Sequence, residues 1–200
     1  MDLSNPLRAV SPGVEGDVLA ALLRNHAPLT GARVAALAER SETQVRTVLR
    51  RLEQHGLVDV ERHGQSHTYL MNRQHVLVPG LEALQRALPE VEDRVRALVA
   101  DWAPPPASVL MFGSAARRDG DAESDIDLLL VRSDDVDADD ETWAKQRHEL
   151  AQAVERLTGN AVQVVELSTV ELAKAVRRKE PLISQLRADG IVLAGADPEL

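Results

Sequence analysis

Two aspartates separated by one residue stand at the start of an apolar run, in the segment Asp125-Ile126-Asp127-Leu128. Because side chains alternate across a β-strand, the two carboxylates would lie on the same face of a strand. A carboxylate at the start of a buried strand is costly unless a positive group meets it. Carboxylate oxygens are ligands that Mg²⁺ prefers, so Asp125 and Asp127 are candidate metal ligands and catalytic residues. The alternative is that Asp125 belongs to a turn and Asp127 is a satisfied polar group at a strand edge.

A Gly-Ser pair, Gly113-Ser114, ends the preceding apolar segment, and Arg117 follows about one helical turn later. Glycine lets the backbone approach a phosphate closely, and a helix that begins there would direct N–H groups towards it. Ser114 adds a hydroxyl, and Arg117 can contact triphosphate oxygens. Phosphate-binding and metal-binding groups in one segment fit nucleotidyl transfer, in which metal ions position a triphosphate while a hydroxyl attacks its α-phosphorus.

The chain around this motif alternates between strand and helix patterns. Strands and helices are predicted, in chain order, over 108–112, 126–131, 141–157, 161–167, 169–178, 181–188 and 190–193. This order predicts an α/β (α+β) fold in which helices flank a mixed sheet. The run Pro104-Pro105-Pro106 marks the linker that leads into it.

The first half of the chain has the pattern of three short helices followed by a β-hairpin. The third helix begins after Ser41, a good N-cap residue, and ends at Gly56. Two alternating segments around Gly64 predict the hairpin. This order resembles the winged helix-turn-helix family over about residues 12–78.

The winged helix-turn-helix resemblance implies that the helix after Ser41 enters the major groove of DNA. The polar side chains on its outer face that would reach bases or phosphates are Gln44, Arg46, Thr47 and Arg50. The hairpin would bring Arg62, His63 and Gln65 beside the DNA backbone. The alternative is a solvated amphipathic helix next to an ordinary hairpin.

The composition separates the two halves of the chain. Residues 1–78 carry 9 Lys or Arg and 8 Asp or Glu, whereas residues 79–200 carry 14 and 24. A nearly neutral DNA-binding part predicts strong salt dependence and a homodimer, because one such module rarely binds well alone. The absence of cysteine excludes thiolate metal sites and disulfides. No apolar stretch approaches the ~20 residues of a membrane span, so we expect a cytoplasmic protein without membrane contact.

The segment GSAARRDGDAESDIDLLLV, residues 113–131, resembles the Gly-Ser…Asp-x-Asp signature of the DNA polymerase beta-type nucleotidyltransferase superfamily, most nearly its minimal members. The resemblance implies that Gly113, Ser114 and Arg117 bind a nucleoside triphosphate, with ATP as the first candidate. It implies that Asp125 and Asp127 bind Mg²⁺ or Mn²⁺. Minimal members often act in toxin–antitoxin pairs, so the implied acceptor is a partner protein or tRNA.

The two resemblances together predict three parts of the chain. These are a winged helix-turn-helix DNA-binding domain over 1–78, connecting helices over 79–103 and a nucleotidyltransferase-like domain over 104–200.

One position of the second motif stays open. The superfamily normally adds a third carboxylate on a later strand, and in the segment 162–167 (VQVVEL) both Gln163 and Glu166 compete for it. The usual register favours Gln163, whereas Glu166 would need a bulge to reach the same face. Since an amide is a poor general base, two functions remain open. One is a transferase, and the other is a transcription regulator whose degenerate domain only binds or senses nucleotide.

Overall fold

The computed structural model describes residues 1–64 and 66–200, and for residue 63 the backbone alone. The chain divides into two compact units. Residues 4–87 with residue 2 make up the first unit, and residues 88–200 with residues 1 and 3 make up the second. Among the described helices, none is long and apolar enough to cross a membrane.

The first unit consists of helices and a small antiparallel sheet. After a short 3₁₀ helix (Pro6–Ala9), its elements are α1 (Val14–Leu23), β1 (Leu29–Thr30), α2 (Gly31–Ala38), α3 (Glu42–Gln54), β2 (Val58–His63), β3 (Ser66–Met71) and α4 (Val78–Gln85). Strands β1 and β2 both pair antiparallel with β3, so that β2 and β3 form the hairpin. Three helices followed by a hairpin confirm the predicted winged helix-turn-helix fold.

Helix α3 separates a buried apolar face from an exposed polar one. The buried side chains recur at helical spacing: Val45, Val48, Leu49 and Leu52. The Ser41 hydroxyl caps the helix by accepting a hydrogen bond from the Gln44 N–H at 3.4 Å. The chain leaves the helix through Gly56, whose φ of +72° favours glycine. These local signals place the polar face of α3 on the surface of the unit.

The second unit is a four-stranded mixed sheet with helices on both faces. Its elements are α5 (Ala87–Val99), β4 (Ser108–Phe112), α6 (Gly113–Arg117), β5 (Ile126–Arg132), α7 (Glu141–Thr158), β6 (Val162–Ser168), α8 (Thr169–Arg178), α9 (Pro181–Asp189) and β7 (Ile191–Gly195). The strand order is β6-β5-β4-β7, with β5 parallel to β6 and antiparallel to β4. The predicted α+β fold with a mixed sheet is therefore confirmed.

Strand β5 supplies side chains to two apolar cores, one on each face of the sheet. Leu128 packs in the core that contains Trp143 of α7, and Leu129 packs in the core that contains Leu172 of α8. Asp127 lies two residues before Leu129, so its side chain is on the face covered by α8 and α9. The carboxylate thus lies where the apolar packing of that face ends.

The aromatic residues are few, and both tryptophans belong to the second unit. Trp102 and Trp143 meet edge to face, with ring centroids 5.6 Å apart and planes at 87°. The aromatic residue of the first unit is Tyr69 on β3, which packs against the aliphatic core there. The cores of both units are therefore built mainly from Leu, Val and Ala, as the composition predicts.

The helices between the two predicted modules each pack in one unit. Helix α4 contributes Val78 to the core of the first unit, and helix α5 contributes Val91 and Val95 to the second. The connection predicted over 79–103 is thus helical for most of its length. The functional limits at residues 78 and 104 stay predictions.

Candidate functional site

The two aspartates of the Asp-x-Asp motif lie at the N-terminal end of β5, in the middle of the sheet. Asp127 is opposite Phe112 on the antiparallel neighbour β4 and opposite Gln163 on the parallel neighbour β6. The Gln163 side-chain amide donates a hydrogen bond to Asp125 Oδ2 at 3.4 Å. The structure therefore brings Asp125, Asp127 and Gln163 together where the neighbouring strands β5 and β6 begin.

Gly113 lies directly against the Asp127 carboxylate. A Cβ atom at Gly113 would be only 2.3 Å from Asp127 Oδ2, and the φ of Gly113 is +70°. Both the space and the backbone angle therefore require glycine at this position. The Gly-Ser part of the motif, which directly follows β4, thus meets the Asp-x-Asp part on the adjacent strand β5.

Replacing Gly113 with alanine should distort the site. The methyl group would displace the Asp127 carboxylate, and the left-handed backbone alone costs a non-glycine residue about 1 kcal/mol. We expect a lower midpoint of thermal unfolding, by roughly 2–4 °C, together with the loss of Mg²⁺-dependent nucleotide binding. Gly80→Ala on α4 is the matched control, because a Cβ there meets open space. Unchanged nucleotide binding in Gly113→Ala would contradict the close packing.

Helix α6 carries Ser114 and Arg117 but has only five residues. Such a short helix contributes little dipole, so the predicted role of a helix N-terminus is smaller than the sequence suggests. Ser114 lies beside Gly120, where a Cβ would be 2.9 Å from the Ser114 hydroxyl oxygen. The donors that the structure offers near the carboxylates are thus the Gly113 N–H, the Ser114 hydroxyl and the Arg117 guanidinium.

Arg117 is held by two carboxylates, one of which the sequence did not indicate. Its Nε donates to Asp119 Oδ2 at 3.0 Å, and its Nη1 donates to Asp189 Oδ2 at 2.6 Å. These hydrogen bonds raise the pKa of Arg117 above its usual range, and the bond to Asp119 has the larger effect. Asp189 also accepts a long hydrogen bond of 3.4 Å from the Gly113 N–H. Asp189, at the last position of α9, is therefore a further residue of the site.

The carboxylates of the site repel one another. Burial raises the pKa of Asp127 above its ordinary value, and the charges of Asp125 and Asp189 raise it further, while Arg117 lowers it. Two neighbouring negative charges in a half-buried place favour a bound cation. The electrostatics of the site are thus suited to a positively charged ligand.

This raised pKa predicts how stability depends on pH without metal. A folded-state pKa above 3.8 means that the folded protein holds the Asp127 proton more tightly than the unfolded chain does. That stabilisation is present at low pH and is lost as the pH rises through the folded-state pKa. In EDTA at pH 7, Asp127→Asn should therefore raise the unfolding midpoint by about 2 °C, a difference that vanishes towards pH 4. Circular dichroism melts measure it, and a lower midpoint for the variant at pH 7 would contradict the prediction.

The two candidates for the third position are now separated in space. Gln163 lies beside Asp127, whereas Glu166 is opposite Leu130 on the other face of the sheet. Glu166 accepts hydrogen bonds from Arg132, at 3.0 Å, and from Arg147 on α7. This ion-pair network holds Glu166 away from the site, so the group next to the aspartates is an amide.

A buried asparagine positions the loop that precedes Asp125. Asn160 is 2% exposed, and its amide donates to the carbonyl oxygens of Ser124, at 2.9 Å, and Ala122, at 3.5 Å. The Ile126 N–H donates to the neighbouring Ala161 carbonyl at 2.9 Å. The turn between α7 and β6 thus supports both sides of Asp125. No local motif marks Asn160, because its partners are 36 and 38 residues away in the chain.

The site suits a metal that arrives with its nucleotide. Among the described residues, no three His, Asp or Glu side chains are grouped so that they alone could hold a metal ion. Mg²⁺ is commonly bound by one or two carboxylates together with substrate phosphates. Asp125 and Asp127 therefore fit Mg²⁺ with a triphosphate as the remaining ligand, and they do not form an all-protein cage.

The predicted DNA-contacting residues of the first unit lie on its surface. Gln44, Arg46, Thr47 and Arg50 are exposed on α3. The side chains of Arg46 and Arg50 form no hydrogen bond or ion pair with other described residues, which leaves their charges available. A groove of about 610 Å³ runs between α3 and the hairpin, and its lining includes Arg46, Arg50, Arg62 and Tyr69.

On the hairpin part of this surface, the predicted DNA-contacting residue Arg62 already has a partner within the protein. Arg62 donates a hydrogen bond to the Glu53 carboxylate at the end of α3. The predicted contacts of the His63 side chain and of Gln65 lie outside the described residues. The free basic groups described on this face are therefore on α3.

Comparisons with known proteins support a division of the chain into two kinds of domain. Residues 100–197 match the family described as "Polymerase beta, Nucleotidyltransferase", and residues 13–73 match the family "Sugar-specific transcriptional regulator TrmB". No curated protein matches the chain.

Several solved structures are similar to parts of the chain. A toxin–antitoxin with AMP-PNP is 26% identical over 53% of this chain and 74% of its own, with a TM-score of 0.37. A mutant of the toxin–antitoxin MntA-HpeT is 24% identical with the same coverage and a TM-score of 0.36. TrmBL2, an archaeal chromatin protein, is 15% identical over 88% of this chain and 72% of its own, with a TM-score of 0.26. The two family matches, and not these structures, identify the domains of the chain: a TrmB-type winged-helix DNA-binding domain over residues 13–73, followed by a polymerase beta-type nucleotidyltransferase domain over residues 100–197.

Proposed function

We propose that the protein binds DNA through α3. We also propose that it transfers a nucleoside monophosphate from a Mg²⁺-bound nucleoside triphosphate to a hydroxyl group of a partner molecule, with ATP as the first candidate for the triphosphate. The observation that carries this proposal is the contact between Gly113 and the Asp127 carboxylate. It brings the Gly-Ser and Asp-x-Asp halves of the motif together, which supports a common role for them. The family match over residues 100–197 supports the same reaction class.

The residues of the site have separate roles in this reaction. Asp125 and Asp127 would hold Mg²⁺ or Mn²⁺, and the ion would supply positive charge to neutralise the triphosphate and to make the attacking hydroxyl more acidic. Gly113, Ser114 and Arg117 would bind the phosphates. The acceptor oxygen forms a bond to the α-phosphorus, the bond from that phosphorus to pyrophosphate breaks, and the hydroxyl proton leaves to water. Gln163 cannot accept this proton, so we expect a slow enzyme.

The acceptor that we propose is a partner protein in a toxin–antitoxin-type pair. The support is the Gly-Ser…Asp-x-Asp segment, which resembles minimal nucleotidyltransferases that act in such pairs. The DNA-binding domain would then regulate the operon of the pair. We propose that it does so as a homodimer in the cytoplasm, because a single winged helix with little excess charge binds DNA weakly.

A labelling experiment tests the transferase. The protein is incubated with Mg²⁺ or Mn²⁺ and each α-labelled nucleoside triphosphate in a lysate of its source cell, and proteins and RNA are then separated. We expect label on one protein, with ATP as donor. Label on tRNA would keep the reaction and replace the acceptor. No transfer with any of the four triphosphates would contradict the transferase.

Gln163 favours a second candidate function, a transcription regulator that senses nucleotide without turnover. A ligand changes DNA affinity only if it binds the DNA-competent and incompetent states with different affinities. The test is a DNA titration with and without Mg²⁺ and ATP. A change in DNA affinity without label transfer supports the sensor, and label transfer supports the enzyme.

A further inference from the structure

Asp189 contacts two groups that would donate hydrogen bonds to a triphosphate, the Arg117 guanidinium and the Gly113 N–H. Its side chain is 8% exposed, and its two oxygens accept hydrogen bonds from the Arg117 guanidinium, at 2.6 Å, and from the Gly113 N–H, at 3.4 Å. These are two of the donors assigned to the triphosphate in the proposed function. The Asp189 carboxylate, at the end of α9, thus accepts hydrogen bonds that an anionic ligand could accept in its place.

A purely structural ion pair explains this arrangement poorly. Arg117 already has an exposed partner on its own segment, Asp119, and gains Asp189 from 72 residues further along the chain. A negative charge in the last turn of a helix is opposed by the helix dipole. A nearly buried carboxylate is also costly unless it is paired. Asp189 therefore lies in an unfavourable place, and among the described residues its two hydrogen-bond donors are the Arg117 guanidinium and the Gly113 N–H.

The same two donors cannot fully serve a carboxylate and a phosphate. Arg117 directs one edge of its guanidinium at Asp189 and its Nε at Asp119. A triphosphate oxygen that takes the Nη1 and Gly113 donors must replace the Asp189 carboxylate. Nucleotide binding then includes the cost of breaking this pair.

We propose that Asp189 is a positioning residue that competes with triphosphate oxygens for Arg117 and the Gly113 N–H, and so lowers the affinity of the site for nucleotide. This inference rests on the proposed function, because it takes the triphosphate as the ligand of these donors. It assigns Asp189 the role of limiting how tightly the triphosphate and the departing pyrophosphate are held.

The test measures nucleotide affinity, not activity. Isothermal titration calorimetry of the full chain with AMP-PNP and Mg²⁺ gives the Kd for the wild type and for Asp189→Asn. We expect the variant to bind about fivefold more tightly, a moderate change because Arg117 is half exposed. Asp119→Asn is the matched control, with a change of less than about twofold, because Asp119 is more exposed and does not contact Gly113.

A second background separates competition for Arg117 from general charge repulsion. Arg117→Ala should weaken binding, and adding Asp189→Asn to it should change the Kd by less than about twofold. An equal gain in both backgrounds would overturn the proposal, because the acid would then act only through its charge. Asp189→Ser provides a second variant if the amide disturbs folding, which thermal melts monitor.

The remaining outcomes are also decisive. Unchanged or weaker binding in Asp189→Asn overturns the proposal, and a loss of Mg²⁺-dependent affinity would make Asp189 a metal ligand instead. If the wild type itself binds neither AMP-PNP nor any natural triphosphate, the proposed function fails and this inference fails with it. A wild type that binds, with an Asp189→Asn variant that binds equally, overturns the inference alone.

Discussion

Asp127→Asn should reduce nucleotide transfer to the acceptor by at least about a hundredfold, since the variant loses a charged oxygen ligand at the point where the triphosphate is held. The side chain keeps its size, so the contact with Gly113 is preserved. The variant should also be no less stable than the wild type without metal, because one of the mutually repelling charges is removed. Loss of activity in a folded, stable protein would therefore identify a role in the chemistry. The measurement is label transferred per minute under single-turnover conditions.

The control for Asp127→Asn removes the same group from a different place. Asp135 is exposed between β5 and α7, so Asp135→Asn makes the same chemical change outside the site. It should retain nearly the full rate. Asp125→Asn should resemble Asp127→Asn, because both carboxylates lie at the same end of β5. A rate for Asp127→Asn above a tenth of the wild-type value would rule out the proposed role of this aspartate.

The double substitution Arg46→Ala with Arg50→Ala should weaken DNA binding by about a hundredfold. Each contact from an arginine to a base or phosphate contributes on the order of 1–3 kcal/mol, and both side chains are exposed without partners among the described residues. Because no internal ion pair has to break, their full charge is available to DNA. The slope of log affinity against log salt should fall by about two, one for each lost phosphate contact. Fluorescence anisotropy with operator DNA at several salt concentrations measures both values.

Two single substitutions serve as comparisons for the predicted loss of DNA affinity. Arg94→Ala removes an exposed arginine of α5 that pairs with Glu90, outside the first unit, and should leave DNA affinity unchanged. Arg62→Ala should have a smaller effect than either α3 arginine, since Arg62 must leave Glu53 before it can contact DNA. DNA binding by the double variant that equals the wild type would show that α3 is not the recognition helix.

The sequence predicted the parts of the site that are close together in the chain. Gly113 directly follows β4, and Asp127 lies in the adjacent antiparallel strand β5, so a local motif is enough to bring them together. The usual register of the motif predicts Gln163 at the third position, and the parallel pairing of β5 and β6 places Gln163 opposite Asp127. The pattern of the sequence therefore predicts which side chains lie together as far as the neighbouring strand, β6.

The residues that sequence reasoning missed are placed by packing alone. Asp189 reaches Arg117 because α9 covers the same face of the sheet, and no spacing rule connects positions 72 residues apart. The sequence offers one weak signal for Asp189: it is an acid that directly follows the helix predicted over 181–188, where the helix dipole disfavours a negative charge. The sequence predicts Arg62 beside the DNA backbone but does not predict its ion pair with Glu53, which depends on how the hairpin folds back towards α3.

The placement of both tryptophans in the second unit has a practical consequence for spectroscopy. Trp102 and Trp143 are the two tryptophans of the sequence, so emission excited at long ultraviolet wavelengths reports on this unit alone. The first unit contributes only the weak signal of Tyr69. Fluorescence can therefore follow denaturation of the nucleotidyltransferase domain within the intact chain, while far-ultraviolet dichroism follows both units. A difference between the two unfolding curves would measure directly how independently the domains melt.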